Sequence, residues 1–495
     1  MRRGTLLALS VSASVACSDS AATSNPSGAD AASDAAVLDV SSSDARIESG
    51  GSSSEAGGVD AAAADGAARD GSVDASTGGP HCGTTPPHYV DGASATASDT
   101  NPGTQSQPWR TIQKAAAALG PGDTAIILPA TYTGDVSPAA SGTTSAPICY
   151  LARPGAVLHG GAFAITGRSY VTLDGLRVEN VTSGDGIAVL GPGTDVTISH
   201  NTVHDALGSC ISAWGCPGNT DPTDPKLCPY GPFRCLLNVS IVGNTLELCN
   251  DGGYDENLDV AQGVDGFVVR GNTLRDGAGG ANGGEGIDLK EGVSNGVVAG
   301  NTIEPLSRNP GIYIDGGGYW AINPTPTTHD IVLDGNLLVG EAIRLDSEHQ
   351  GNVARVLVEN NVVTGAPQDG IVVYQYPGST GGMDSITVVN NTTYGNSASM
   401  PYWNGISLAS MIATNIVIRN DIAFQNMGGQ ISAGSATNDH NLTTDPLFVN
   451  AAAGDFHLQP SSPAIGAGSP MGAPSHDFDG VTRSPTAPSI GAFEK

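Results

Sequence analysis

The sequence predicts an all-β fold, a right-handed parallel β-helix with an N-terminal capping helix. Two columns of residues and the composition carry that reading. A short apolar strand with an Asn-containing turn returns as HNTVHD, GNTLEL, GNTLRD, GNTIEP, GNLLVG, NNVVTG, NNTTYG and RNDIAF, placing Asn201, Asn244, Asn272, Asn301, Asn336, Asn361, Asn391 and Asn420 at intervals of 25 to 43 residues. A repeat of this period is the mark of stacked coils, each burying its apolar face against its neighbours. A second column follows at Ile187, Ile211, Tyr254, Ile287, Ile312, Ile343, Ile371, Ile406 and Ile431, so two strands are expected per coil. The 495 residues include 68 Gly, 5% aromatic and 39% hydrophobic residues, enough apolar content for a long, thin core. Coils without helix-length apolar periodicity stack as strands at the inter-strand spacing of a sheet.

The elements follow in order. Arg2 and Arg3 precede the apolar run Leu6 to Ala16, which is too short to span a bilayer and has the layout of a secretory signal. Residues 1–17 are read as that signal, and Ser14-Val15-Ala16-Cys17 resembles a lipobox with Ser14 where Leu is usual. Residues 18–80 are Ala, Ser, Gly and Asp with eleven carboxylates against two arginines. Such a segment lacks the apolar area to offset ordering entropy and is expected to be a disordered tether. The β-helix is assigned to 81–495. Within it, PWRTIQKAAAALG at 108–120 is expected to form the capping helix, with Ile112, Ala115, Ala116 and Leu119 on one face. It would cover the first exposed strand edge. A closing segment is placed at 445–495. The Asn column is read as a structural ladder of buried amides, without chemistry. Seven cysteines besides Cys17, at 82, 149, 210, 216, 228, 235 and 249, suit disulfides in an exported chain.

The formal net charge of -29 would repel a phosphate backbone, which excludes nucleic acid as an expected partner. A membrane enters only through a lipid anchor at Cys17. The chain is expected to be a monomer, secreted or lipid-anchored at a bacterial cell surface.

The opening segment YVDGASATASDTNPGTQSQPWRTIQKAAAALGPGDTAIILPATYTG and the closing segments DPLFVNAAAGDFHLQPSSPAIGAGSP and DFDGVTRSPTAPSIGAFE resemble secreted pectate-lyase-like β-helix proteins, notably the family nine polysaccharide lyases. The resemblance implies the fold over about residues 88 to 495. It also implies an acidic calcium-binding segment and a lysine base on a later coil. Asp251 and Asp255 of the DGGYD run match the outer aspartates of that segment, with Gly252 where the family has its middle one. Lys290 in GIDLKEG stands one outward position beyond the family's lysine.

Side-chain alternation along the Ile column places the residues one and three positions later on the outer face. Four neighbouring coils depart from bland residues there. One outward column reads Asp255, Asp288, Tyr313, Arg344; the other reads Asn257, Lys290, Asp315, Asp346, Tyr374. Glu285, Glu291, Arg308, Glu341 and Glu348 fall at strand ends. Carboxylate oxygens suit Ca²⁺, so Asp251, Asp255, Asp288 and Glu285 are the expected ligands. A hard cation on a uronate carboxylate acidifies the adjacent carbon, and a basic side chain can then take its proton. Lys290 is the expected base, with Tyr313 and Arg344 assisting. Asn257, Asp315, Asp346, Tyr374 and Arg308 are expected to hold an acidic polysaccharide. The carboxylates around Lys290 should raise its pKa, which opposes the base role unless a cation offsets them. The function so reached is a calcium-dependent polysaccharide lyase acting by β-elimination on a uronate polymer. A glycoside hydrolase or epimerase on the same face and a non-catalytic adhesin or glycan-binding solenoid are the alternatives.

Overall fold

Each full coil folds into three short strands, one more than the two columns suggested. The computed structural model describes residues 82–495 apart from 84, 217–222, 251–254, 278–283, 307–309, 318–326 and 398–402. Tyr254, Asp251, Arg308, the signal segment and the tether lie outside the described residues. In a representative coil, Gly193–Ser199 belongs to sheet one, Thr202–Ala206 to sheet two and Ile211–Trp214 to sheet three. The extra strand is the short run directly after the Asn turn. Among the described residues, sheets one, two and three contain 14, 11 and 10 strands, and neighbouring strands within each come from successive coils. All their pairings are parallel, as between Val196 and Val239 or Ile211 and Leu258. The chain is a parallel β-helix. Val196, Ile198, Val203, Ile211 and Ala213 of this coil point inward and are buried in one continuous core.

The turn between sheets one and two explains the repeated GN and NN pairs. Its first residue is left-handed in coil after coil: His200, Gly243, Gly271, Gly300, Gly335, Asn360, Asn390 and Asn420 have φ between 52 and 66°. Glycine adopts this region without penalty and Asn at low cost. The next residue turns inward and forms the ladder. Asn244 Oδ1 accepts from the Asn201 backbone N–H at 2.9 Å and from Nδ2 at 3.1 Å, and the pattern continues through Asn272, Asn301, Asn336, Asn361 and Asn391. At the last of the expected positions the residue is a different one, and the ladder runs on to Asn441, whose Oδ1 accepts from Asp421 N at 2.7 Å. Asn420 sits in the left-handed column, and Asp421 takes the ladder position, accepting from Asn391 N and Nδ2 at 2.7 and 2.9 Å.

Helix α1 spans Ile112–Ala118, shorter than 108–120, with Thr111 Oγ1 accepting from Lys114 N at its start. Ile112, Ala115, Ala116 and the C-cap Leu119 are buried in the β-helix core. The carboxyl-terminal residues run along the outside of sheet two. Phe448, Phe456, Ile490 and Phe493 form a second apolar cluster with the outer side chains Val362 and Ile422. Buried Arg483 fixes this segment by donating to Asn360 Oδ1 and to the Gly491 carbonyl, at 2.7 and 2.9 Å.

Cys82–Cys149 and Cys210–Cys249 are disulfides with Cα separations of 5.8 and 5.3 Å. Cys235 lies within disulfide reach of both Cys216 and Cys228. One sulfur forms one such bond, so the third cysteine of this buried group remains a thiol. No helix among the described residues is long and apolar enough to cross a membrane.

Candidate active site

The site is set by the register of sheet three. Ile211, Leu258, Ile287, Ile312, Ile343 and Ile371 stack as one inward column. Leu258 therefore holds the place assigned to Tyr254, and every residue of that coil shifts by four. The first outward column reads Ser212, Asp259, Asp288, Tyr313, Arg344. Asp255 does not stack on Asp288; Asp259 does. Asn257 also leaves the outer face. It is buried before the strand, its Nδ2 donating to the Glu285 carbonyl at 3.0 Å. Ala261 takes its column position beside Lys290.

The outward residues were expected to face solvent, yet Asp259, Asp288, Asp315 and Asp346 are buried. The covering groups come from the same face. Lys290 Nζ lies 2.6 Å from Glu256 Oε1, 2.9 Å from Asp288 Oδ2 and 3.9 Å from Asp259 Oδ2. Its side chain is only 19% exposed. Trp214 Nε1 donates to Asp259 Oδ2 at 2.6 Å. Behind them, Asp185 accepts from Ser212 Oγ at 2.5 Å and Ser209 N at 3.0 Å.

One lysine does not balance this many carboxylates. Burial pushes Asp259, Asp288 and Asp315 well above the carboxylate range, against the pull of Lys290. Burial, then Asp185 and Glu256, lifts Asp255 to about 6. For Lys290 burial disfavours the ammonium, but Asp259, Asp288, Glu256 and Asp315 outweigh it and hold its pKa well above the usual value. Asp259, Asp288 and Asp315 each keep one buried Oδ1 without a hydrogen-bond partner. Buried acceptors in that state mark a missing donor or cation.

Glu256, Asp259 and Asp288 each offer an oxygen within 4.8 Å of the others, and an all-carboxylate donor set suits a hard cation such as Ca²⁺. The residues present therefore fit the expected ion, though through a partly different set. Asp288 remains, Glu256 and Asp259 join it, and Asp255 and Glu285 stand in the surrounding field.

The neighbouring coils build a cationic counterpart. Arg344 donates to Asp346 Oδ2 through Nη2 at 2.6 Å. Its guanidinium carbon lies 4.4 Å from the Tyr374 ring centroid and 5.5 Å from that of Tyr313. Asp346 Oδ1 accepts from Tyr376 N at 2.9 Å. The Tyr313 hydroxyl lies 3.1 Å from Glu348 Oε2 and 3.3 Å from Asp346 Oδ2. Burial, then Asp315 and Asp346, raises its pKa well above the usual value. Glu341 is separate from this group: it is buried, accepts from Leu306 N at 2.6 Å, and burial lifts it to about 8.

The structure thus brings together Lys290, Asp288, Asp315, Tyr313, Arg344, Asp346 and Tyr374. Glu256, Asp259, Asp185 and Trp214 were missed. The signal for Asp259 was present: NLDVA and GIDLK share an aliphatic-Asp-aliphatic core that aligns them without a gap.

Comparison with known proteins places the chain by architecture. A family model described as "Disaggregatase related" matches residues 347–473. The uncharacterized protein YwoF of Bacillus subtilis (strain 168) is 25% identical over 449 residues, 75% of this chain and 91% of that protein. The complex structure of XylC with xylose superposes with a TM-score of 0.53 at 13% identity, over 82% of this chain and 98% of that one. The pectate lyase Pel9A gives a TM-score of 0.47 at 17% identity, over 83% and 97%. Likeness at these identities is one of fold, and a reaction has to be argued from side chains.

Proposed function

We propose that the protein is a carbohydrate-active β-helix protein, a calcium-dependent polysaccharide lyase that cleaves a uronate-containing polymer by β-elimination. The observation that carries this reading is the group Asp259, Asp288 and Asp315, each with a buried unpartnered oxygen, set beside Lys290 and the Arg344–tyrosine stack. In this reading Glu256, Asp259 and Asp288 hold Ca²⁺, which when bound neutralises a uronate carboxylate and acidifies the proton on the adjacent carbon. The carboxylates that hold Lys290 as an ammonium would be neutralised by the ion, and the lysine so released from them, as the neutral amine, is the base that takes this proton. The carbon–oxygen bond to the leaving sugar breaks as the ring double bond forms. Tyr313, which retains its proton at neutral pH, is positioned to protonate the leaving oxygen. Arg344, oriented by Asp346 and two rings, presents its remaining N–H edge to a substrate carboxylate, the planar geometry for which guanidinium is suited. Asp315, Asp346 and Tyr374 line the same face. The signal-like amino terminus supports export, with an acidic polysaccharide outside the cell as partner.

A second reading has one observation in its favour. Asp255, lifted to about 6, has the acidity of a general acid in a glycoside hydrolase. Product chemistry separates the two. The test is a panel of uronate polymers incubated with the protein, with and without chelator, and followed by ultraviolet absorbance and reducing ends. Chelator-sensitive growth of absorbance supports the lyase, reducing ends without absorbance support the hydrolase, and no product on any polymer removes both.

A further inference from the structure

The carboxylates that suit the cation are already faced by a cation of the chain itself. Lys290 Nζ lies within hydrogen-bond distance of Glu256 Oε1 and Asp288 Oδ2 and within 3.9 Å of Asp259 Oδ2, and these residues are the ones whose ligand oxygens converge. Calcium sits about 2.3–2.6 Å from its ligand oxygens. An ammonium held by the same carboxylates would lie against the ion, two positive charges close together in a partly buried place. Both cannot occupy the group together. The two occupants are also unequal: the ammonium leaves Asp259 Oδ1 and Asp288 Oδ1 without partners, whereas a divalent ion carries twice the charge and takes six to eight oxygens. Lys290 is the last residue of its strand, Ile287–Lys290, and its four-carbon stem gives the ammonium reach and freedom to move.

We propose that Lys290 is a tethered occupant of the cation site, a built-in counter-ion that a divalent cation must displace. Displacement releases the side chain from its carboxylates toward the Asp315 and Tyr313 side of the face. Metal binding and the placement of the lysine are then one event, so the site is organised for polymer only when the ion is present. This inference rests on the proposed cation site but not on the proposed reaction.

Calcium affinity read by calorimetry decides it, on the full chain and two variants whose folding is first checked by circular dichroism. Lys290→Met removes the competitor and should bind calcium tighter than the parent by at least about tenfold, since a unit charge at contact distance in a partly buried site is worth at least that much. Lys290→Arg keeps the charge and should show no such gain. Should Lys290→Met unfold for lack of a counter-charge in the absence of metal, its refolding on addition of calcium, but not of sodium at equal ionic strength, supports the same displacement, and failure to refold with calcium overturns it. Equal or weaker calcium binding by folded Lys290→Met overturns the tethered occupant and leaves the cation site standing. Failure of the parent and both variants to bind calcium overturns both.

Discussion

Asp421 is the position where one atom of the ladder is of the wrong kind, and replacing it with Asn should stabilise the protein in a pH-dependent way. At the other rungs the amide nitrogen donates twice; Asn361 Nδ2, for example, donates to the Leu333 carbonyl and to Asn391 Oδ1 at 2.9 Å each. Asp421 Oδ1 accepts as an amide oxygen would, but Oδ2 stands where a donor belongs and has no partner. The residue is fully buried, and burial pushes its carboxyl up to about 7. An unfolded Asp titrates near ~3.9, so the folded state holds a proton the unfolded state has lost over roughly three pH units. The sign follows from that difference. The contribution to stability is fully present below about pH 4 and is lost as pH rises through 7, up to about 4 kcal/mol at about 1.4 kcal/mol per unit. Asp421→Asn supplies the missing donor at every pH, so it should gain little near pH 4 and several-fold more near pH 8.5. Denaturant unfolding at both pH values measures the gain, and hydrogen exchange of residues 417–424 reads it locally. An equal gain at both values, or a loss near pH 8.5, would refute the reasoning.

Three further outcomes are expected. Arg344→Lys keeps the charge but loses the planar fork and weakens the ring contacts, so KM for a uronate substrate should rise by about tenfold or more, with the melting temperature nearly unchanged; an unaltered KM removes Arg344 from substrate binding. Calcium should raise the melting temperature by mass action, and Asp288→Asn should abolish that shift, as read by thermal unfolding with and without chelator. Alkylation of the denatured, non-reduced chain should label one of Cys216, Cys228 and Cys235, and Cys228→Ser should leave Cys216 and Cys235 unlabelled as a disulfide; two labelled thiols in that variant would contradict the shared reach of Cys235.

The solenoid was legible because it depends on periodic features: a left-handed turn residue, a buried amide and an inward aliphatic in each coil. The third strand was hidden because sheet two uses two to five residues, as in Thr302–Ile303 and Thr273–Arg275, directly after the turn. The site was legible in part. Lys290, Asp288, Tyr313 and Arg344 stood in an unbroken register, so alternation alone placed them. In the coil before them the step from Cys249 to Leu258 is four residues longer than the step from Ala206 to Ile211 one coil earlier, and there the count slipped by four. Asp259 was passed over and Asp255 put in its place. Burial of the outward carboxylates was not legible at all, because it depends on Trp214 and Lys290 reaching across from neighbouring strands. The cage around the lysine follows from that reach.

The central claim is that sheet three performs a metal-dependent elimination with Lys290 as its base. It is tested most directly by the initial rate of ultraviolet-absorbing product on one responsive uronate polymer, compared between the calcium-loaded parent and calcium-loaded Lys290→Ala. Loss of a general base predicts a rate lower by about 10²- to 10⁴-fold, with calcium still bound as measured by calorimetry. A near-parental rate from calcium-loaded Lys290→Ala would contradict the account.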